Sequence, residues 1–466
     1  MIWIPIDRTR DISLIRQVYE QIRTRILHGE LIAGECLPPT RELAANLGIS
    51  RNVVVEAYDQ LFAEGYIEGR QGSGTYVAEG TYLDPQEKQD SLSFFEIQHL
   101  EEKTNDVIDF RSGLPALDMF PRNIWGQIAK QVCTDTSNSV FGYGQPEGRI
   151  ELRHILSHYL KRHRGVDCHP DQIVITSGAT QALSLLAKLL LSPGDEVMIE
   201  DPITHEIQTI FTSTGASLFP IPVDEQGMKT ELIPLNRKPS FIFVTPSHQF
   251  PLGGTLPIQR RIQLIQFARK VDCFIVEDDY DSEFRYQGGS INSLQGLDPN
   301  RVIYIGTFSK ILSPALRLGY IILPPALTKR CQELKWFTDL HTPSLQQISI
   351  ARFIDEGHLE RHIRRMRKVY RNRRDHAKKC LVKKFGDHVH ISGDSTGLHL
   401  IAEFKNTNFS DEKIQQLSET HKVKIYPVEL HTIQKGTHKN KIILGYGNLT
   451  ANEIEEGVDR LKKGII

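Results

Sequence analysis

Lys310 lies in the run Gly306-Thr307-Phe308-Ser309-Lys310-Ile311-Leu312-Ser313-Pro314-Ala315-Leu316-Arg317, where small residues deliver one amine and an arginine follows seven positions later. An amine held this way can form a Schiff base with an aldehyde. Arg317 can grip a phosphate by a two-pronged contact that lysine does not reproduce, and Thr307 and Ser309 add hydroxyls nearby. An aldehyde with a phosphate tail describes pyridoxal 5'-phosphate (PLP). A lone lysine is usually a surface residue, but this one stands in an otherwise apolar, small-residue run.

Four further segments supply parts for the same chemistry. Thr176-Ser177-Gly178-Ala179-Thr180-Gln181-Ala182 follows a strand candidate and opens a helix, so the backbone N–H groups of Gly178, Ala179 and Thr180 can meet a phosphate. Any strand-to-helix turn favours small residues, so this one gains meaning only beside Lys310. Asp278 follows the strand ending Val276-Glu277, and Tyr280 comes two residues later. A carboxylate against a pyridine nitrogen keeps the ring protonated and electron-withdrawing, and a phenol can hydrogen-bond the ring oxygen. Asp279 competes with Asp278, and with Glu277, Asp281 and Glu283 so close the plainer alternative is a solvated strand end. Tyr143, in Phe141-Gly142-Tyr143-Gly144-Gln145-Pro146, is poised to touch a phosphate, within the chain or across a dimer interface. Gln249 and His205 are candidates for the ring, treated below.

The elements that position these groups follow from periodicity. From about Asp109, apolar runs such as Ile173–Thr176, Glu196–Ile199, Phe241–Val244, Cys273–Val276 and Val302–Ile305 alternate with helical patterns. That order predicts a doubly wound, mostly parallel α/β sheet over about 150–335. Residues 340–386 read as helical, and 387–466 as short strands with a last helix, a smaller α+β domain. The basic stretch Arg361 to Lys384 has the spacing of a solvated helix face, with a second DNA contact as the alternative.

The amino-terminal block, 1–79, reads helix, helix, helix, hairpin. Leu14, Ile15, Val18, Ile22 and Ile26 predict a helix over 12–28. Thr40 is the expected cap of a short helix to Leu47, and Ser50 of a third helix with Val53, Val54, Ala57 and Leu61 on one side. Two short strands around the Gly72 turn complete a winged helix-turn-helix. Ser50, Arg51 and Asn52 stand at the mouth of the recognition helix; Arg51 suits guanine, Asn52 adenine, and Arg41 and Arg70 phosphates. Against this, the first 80 residues carry eight arginines, no lysine and eleven acidic residues, a net −3. Binding therefore depends on where the arginines sit, and on doubling of the site in a dimer. Residues 80–105 read as a polar linker with a helical piece near Phe94 to Leu100.

The 466 residues imply two or three domains, and a formal net charge of −1 argues for no particular partner. Six scattered cysteines without metal-type spacing read as free thiols in a reducing cytoplasm. The start lacks a signal peptide and no run is apolar enough for a membrane helix, so a soluble cytoplasmic protein is expected.

The block Gly34-x2-Leu37-Pro38-Pro39-x-Arg41-x-Leu43-Ala44-x2-Leu47-Gly48-Ile49-Ser50-Arg51-Asn52 resembles the GntR-type winged helix. The lysine and aspartate segments resemble fold-type I aminotransferases. Their fusion is similar to the MocR/GabR regulators, supported by Asp109-Phe110-Arg111-x-Gly113-x-Pro115, Thr245-Pro246-Ser247-His248-Gln249-Phe250-Pro251 and Glu277 to Tyr286. The resemblance implies a promoter-DNA-binding homodimer whose PLP is joined to Lys310, with Asp278 on the ring nitrogen and Tyr280 on the ring oxygen. Gly178, Ala179, Thr180, Thr307, Ser309 and Arg317 then fall to the phosphate. Gln249 lies near where aminotransferases place a ring-oxygen asparagine. The effector is expected to be PLP itself or a PLP adduct with an amine or amino acid, with a working aminotransferase carrying a DNA-binding head as the alternative. Two departures stand out. Thr204 occupies the place of the usual ring-stacking aromatic, with His205 beside it as a substitute, and Glu206 follows where the GABA-responsive member has arginine. No arginine occurs between Lys422 and Thr450 to clamp a carboxylate.

Overall fold

The structure, a computed structural model, describes residues 4–9, 11–83, 106–405 and 407–465. The chain divides at about residue 102 into two compact units. The helical piece expected near 94–100 lies outside the described residues.

In the first unit, apolar residues at helical spacing form α1 (Leu14–Leu27), α2 (Thr40–Leu47) and α3 (Arg51–Ala63). Strands β1 (Cys36–Leu37), β2 (Ile67–Arg70) and β3 (Gly74–Val77) pair antiparallel in the order β1-β3-β2. Val18, Ile22 and Ile26 share one buried core with Val54, Tyr58 and Leu61, closed by Ile67 and Val77. Two expected caps are corrected. Thr40 is the first residue of α2 behind Pro39, whose fixed φ already sets the entry. Ser50 precedes α3, but its hydroxyl makes no capping hydrogen bond.

In the second unit, β4 (Ile108–Asp109), α4 (Arg122–Asp135) and α5 (Ile150–Arg164) lead into an eight-stranded sheet. Its strands are β5 (Ile173–Thr176), β6 (Glu196–Asp201), β7 (Ser217–Asp224), β8 (Gly227–Met228), β9 (Phe241–Val244), β10 (Phe274–Asp279), β11 (Val302–Thr307) and β12 (Gly319–Ile322), in the order β5-β12-β11-β10-β9-β6-β7-β8. Adjacent strands are parallel except at β12 and β8. Successive side chains of a strand point to opposite faces. Accordingly Val197, Phe241 and Val276 pack in the layer with α6 (Ala179–Leu190) and α7 (His205–Thr212), while Met198, Ile242 and Ile275 pack with α8 (Ile258–Val271). Burial on both faces explains why these strands read as unbroken apolar runs.

Three strands of this sheet were not announced by the sequence, the two-residue β8 among them. In β7, Pro220 and Pro222 obscure a strand that has full pairing only with β6, so a missing N–H is tolerated near the sheet edge. The four-residue β12 is antiparallel between β5 and β11. After α9 (Pro325–Asp339), helices α10 (Ser344–Asp355) and α11 (His358–Phe385) lead to a smaller layer. It holds β13 (Val389–Ser392), β14 (His399–Phe404), α12 (Asp411–Glu419), β15 (Val423–Lys424), β16 (Tyr426–Pro427), β17 (Lys441–Gly445) and α13 (Ala451–Ile465). β15 pairs with β4, which brings Phe110 and Arg111 against Gly445.

Candidate functional site

The segments singled out by their chemistry leave the carboxyl ends of parallel strands, where open α/β sheets bind ligands. Lys310 follows β11 and is half-buried. Burial holds its ammonium below the ordinary lysine range; Arg111 pushes the same way, while Asp281, Asp278 and Glu206 oppose. A lysine so depressed is a better nucleophile. Gly113, in the left-handed region at φ 72, comes so close that a Cβ there would lie 2.6 Å from the Lys310 Nζ.

Asp278 ends up buried on β10 with its Oδ1 unpartnered, and burial, with Asp279 adding to it, pushes its carboxyl up to about 7 against the pull of Lys310. The neighbouring carboxylates have other tasks. Glu277 accepts from the Leu294 and Gln295 backbone N–H groups, and Asp279 accepts from Tyr304 and pairs with Arg164 at 2.6 Å. Tyr280 donates to the His248 carbonyl at 2.9 Å, and its oxygen lies 3.0 Å from His248 Nδ1. His248 Nδ1 in turn donates to Asp281 at 2.9 Å.

Arg317 lies at the start of α6. The Gly178 backbone, at φ 107, admits it so closely that a Cβ would lie 3.1 Å from the guanidinium. The Arg317 guanidinium has no hydrogen-bond or ion-pair partner among the described residues, while its backbone N–H donates to the Pro314 carbonyl; the α6 amino terminus at Ala179 and Thr180 has no side-chain cap. Thr307 Oγ1 is 3.1 Å from Ser309 Oγ and accepts from the Ser309 N–H. Tyr143 is 84% exposed, with its ring T-shaped to His341 at 6.2 Å between ring centres.

Two candidates are placed otherwise. Gln249 is fully buried and spends its amide on the Pro202 and Phe250 carbonyls and the Leu252 N–H. It organises the turn after β9 instead of presenting a group to a ring. His205 is exposed at the first turn of α7, where Thr204 caps the helix.

In the first unit, Arg41, Ser50, Arg51 and Asn52 are all exposed, with no side-chain partner among the described residues. Other arginines are committed: Arg8 to the Gly48 carbonyl, Arg16 to Glu20, Arg23 to Tyr66. Arg70 pairs with Glu68 and stacks on Tyr76 with its guanidinium carbon 4.7 Å from the ring centre. The overall negative charge thus leaves free cations at the start of α2 and α3.

Residues 14–77 match the bacterial regulatory proteins of the gntR family, and residues 105–461 match aminotransferase class I and II. The probable rhizopine catabolism regulatory protein MocR of Rhizobium meliloti is 35% identical, over 99% of this chain and 95% of its own length. The chain belongs to the MocR-type regulators. It is a transcriptional regulator in which a GntR head is fused to an aminotransferase-like unit of fold type I. The HTH-type pyridoxine biosynthesis transcriptional regulator PdxR of Corynebacterium glutamicum is 32% identical over 78% of this chain and 77% of its own. Among solved structures, Pyrococcus horikoshii kynurenine aminotransferase aligns with a TM-score of 0.72 at 30% identity, covering 78% of this chain and 91% of that one. LysN of Thermus thermophilus, complexed with N-(5'-phosphopyridoxyl)-L-leucine, aligns at 0.71 and 27%, covering 77% and 92%. A fold of this kind with such neighbours implies PLP binding. No helix among the described residues is long and apolar enough to cross a membrane.

Sequence reasoning gave no part beside Lys310 to Arg111, Gly113, Glu206, His248 or Asp281. Arg111, Gly113, His248 and Asp281 stood in quoted motifs without a role there, and Glu206 was noted only as a departure. Their signal was proximity in space, which spacing along the chain does not carry.

Proposed function

We propose that the aminotransferase-like unit binds PLP at Lys310 and that the bound cofactor, or its adduct with an amine, sets the affinity of the head for promoter DNA. The observation that carries this reading is a set of polar groups with nothing to satisfy them: the buried Asp278 Oδ1 and the unpaired Arg317 at an uncapped helix start, around a lysine with a depressed pKa. Buried polar atoms are ordinarily paired, so such orphans suit an absent ligand. When bound, the cofactor supplies an aldehyde that captures amines and a ring that withdraws electrons. Lys310 would hold it covalently, Asp278 would keep its ring nitrogen protonated, and Tyr280 would face the ring oxygen. Arg317, Thr307, Ser309 and the Gly178, Ala179 and Thr180 backbone would hold the phosphate. Tyr143, too exposed to serve its own chain, fits a phosphate contact across a homodimer interface.

The head would read DNA with Arg51 and Asn52 at base edges, Ser50 and Arg41 at the backbone, and Arg70 on the wing. The lack of an arginine over 422–450 weakens any grip on an amino-acid carboxylate. That favours PLP itself as the sensed molecule, in keeping with the name of the pyridoxine-biosynthesis relative. Any such switch requires the ligand to favour one arrangement of the dimer by free energy.

Borohydride reduction of the purified protein followed by peptide mapping tests the attachment. A pyridoxyl mark on the peptide carrying Lys310 is expected, and a mark elsewhere or none refutes it. A gel-shift with DNA upstream of its own gene tests the sensing: operator affinity unchanged by PLP removes PLP as effector. Sustained turnover of an amino donor with a 2-oxo acid would instead identify an enzyme.

A further inference from the structure

A cleft of about 970 Å³ opens between the end of α5, the 282–290 loop and the start of α11. Six arginines line it, Arg162, Arg164, Arg285, Arg361, Arg364 and Arg367, against three carboxylates, Glu283, Asp355 and Glu360. Most are engaged. Arg164 pairs with Asp279, Arg162 with Glu360, Arg367 donates twice to the Glu283 carbonyl, and Arg361 to the Glu356 carbonyl. Two are not. Arg364 is exposed and has no partner among the described residues. Among the described residues, Arg285 Nε and Nη1 are buried without any hydrogen-bond acceptor, and the Ser282 Oγ in the same wall is likewise buried and unpartnered.

A guanidinium withdrawn from water without a counter-charge is costly, and burial alone pulls Arg285 below the ordinary arginine range. Burial pushes the nearest carboxylate in sequence, Glu283, above the ordinary carboxylate range, which weakens the counter-charge it offers. Gly288 lies beside Arg285, where a Cβ would sit 3.6 Å from its Nε, and Gly289 adds no side chain to the same wall. The volume falls within the ~300–1,000 Å³ of small-molecule sites.

We propose that this cleft binds a small, multiply charged phosphorylated metabolite through Arg285, Arg364 and Ser282. The occupant is small because the Arg285 donors lie below the surface, where the backbone of a duplex laid across the rim does not reach. The site is independent of the lysine pocket in its contacts. It shares a wall with that pocket's supports, since Arg164 holds Asp279 and Ser282 follows Asp281 directly. Occupancy therefore has a route to the cofactor site, and any coupling is reciprocal.

Calorimetric titration of the full-length protein with inorganic pyrophosphate tests this. Binding is expected to weaken with salt, and to fall about ten-fold in Arg285→Met and in Arg364→Glu. Arg364 is exposed, so its replacement informs even if Arg285→Met folds poorly. Arg317→Ala, which removes the cation beside Gly178, is expected to leave this binding intact. No binding at millimolar pyrophosphate overturns the proposal. So does binding that Arg317→Ala abolishes and Arg364→Glu spares, because the anion then occupies the cradle near Lys310. Weaker operator binding by Arg364→Glu without pyrophosphate binding would make the cleft a DNA contact, which overturns it equally.

Discussion

In the head, the side chains proposed for DNA contact, Arg41, Arg51 and Asn52, are exposed and have no side-chain partner among the described residues, so water solvates them. In the aminotransferase-like unit the offered groups are withdrawn from water: Asp278 is buried with an orphaned oxygen, and Lys310 is held below its ordinary pKa. The first arrangement asks nothing of the fold, so its residues can change with little effect on stability. The second stores unfavourable electrostatics that the proposed cofactor would relieve. Binding and stability should therefore move together in neither unit, and in opposite directions around Asp278.

The largest expected effect is that of Lys310→Ala. Covalent cofactor attachment and its visible absorbance should vanish, and the variant should bind operator DNA as cofactor-free wild type does, with no response to added PLP. Weaker operator binding than that of cofactor-free wild type would show that the two units are not separable in this way.

Asp278→Asn is the sharpest test of the contrast. Because the folded carboxyl is pushed up to about 7 from an ordinary 3.8, the native state holds this proton more tightly than the unfolded chain. The contribution of Asp278 to the stability of the cofactor-free protein therefore falls as pH rises from about 4 to about 7 and is level above that. The asparagine variant lacks this component, so at pH about 8 it should be more stable by about 1–4 kcal/mol. It should also retain the cofactor poorly. Denaturant unfolding of cofactor-free wild type and variant at pH about 5 and about 8 measures it, and an equal difference at both pH values contradicts the assignment.

Arg51→Ala should weaken operator binding about ten-fold and relax the sequence preference at one position per half-site, with no change in cofactor absorbance. Competition with single-base operator variants reads this out.

How much was legible from the sequence follows the same division. The head was almost fully legible, because its helices are amphipathic with local spacing, and because exposed arginines need no tertiary context to be recognised. The strand ends carrying Lys310, Asp278 and Gly178 were legible too, since parallel strands buried on both faces announce themselves as apolar runs. What failed was anything set by proximity across the chain. Gln249 looked available beside a ring, but its amide is consumed by Pro202, Phe250 and Leu252. Asp278 was chosen over Asp279 by resemblance alone, and the physical reason that sets Asp279 apart, its pairing with Arg164 far away in sequence, appears only in the fold. The caps at Thr40 and Ser50 failed differently: residue type permits a cap, but the backbone entry decides whether one is made.

Arg70 gives the smallest effect and probes the rule for exposed groups. Unlike Arg51, it is already shared with Glu68 at 3.0 Å and stacked on Tyr76. A phosphate must compete with those partners, and releasing Glu68 leaves a carboxylate facing the DNA. Exposed pairs of this kind are weak, so the competition is nearly even and the net gain from the contact is small. Arg70→Ala should lower affinity only about two- to three-fold, uniformly across operator variants, and reduce the salt dependence by about one unit of slope. Glu68→Gln should then strengthen binding, because it frees the guanidinium without removing it. If Glu68→Gln instead weakens binding while Arg70→Ala matches Arg51→Ala in size, the wing pair is a preorganised contact, and exposure alone does not define how the head meets its ligand.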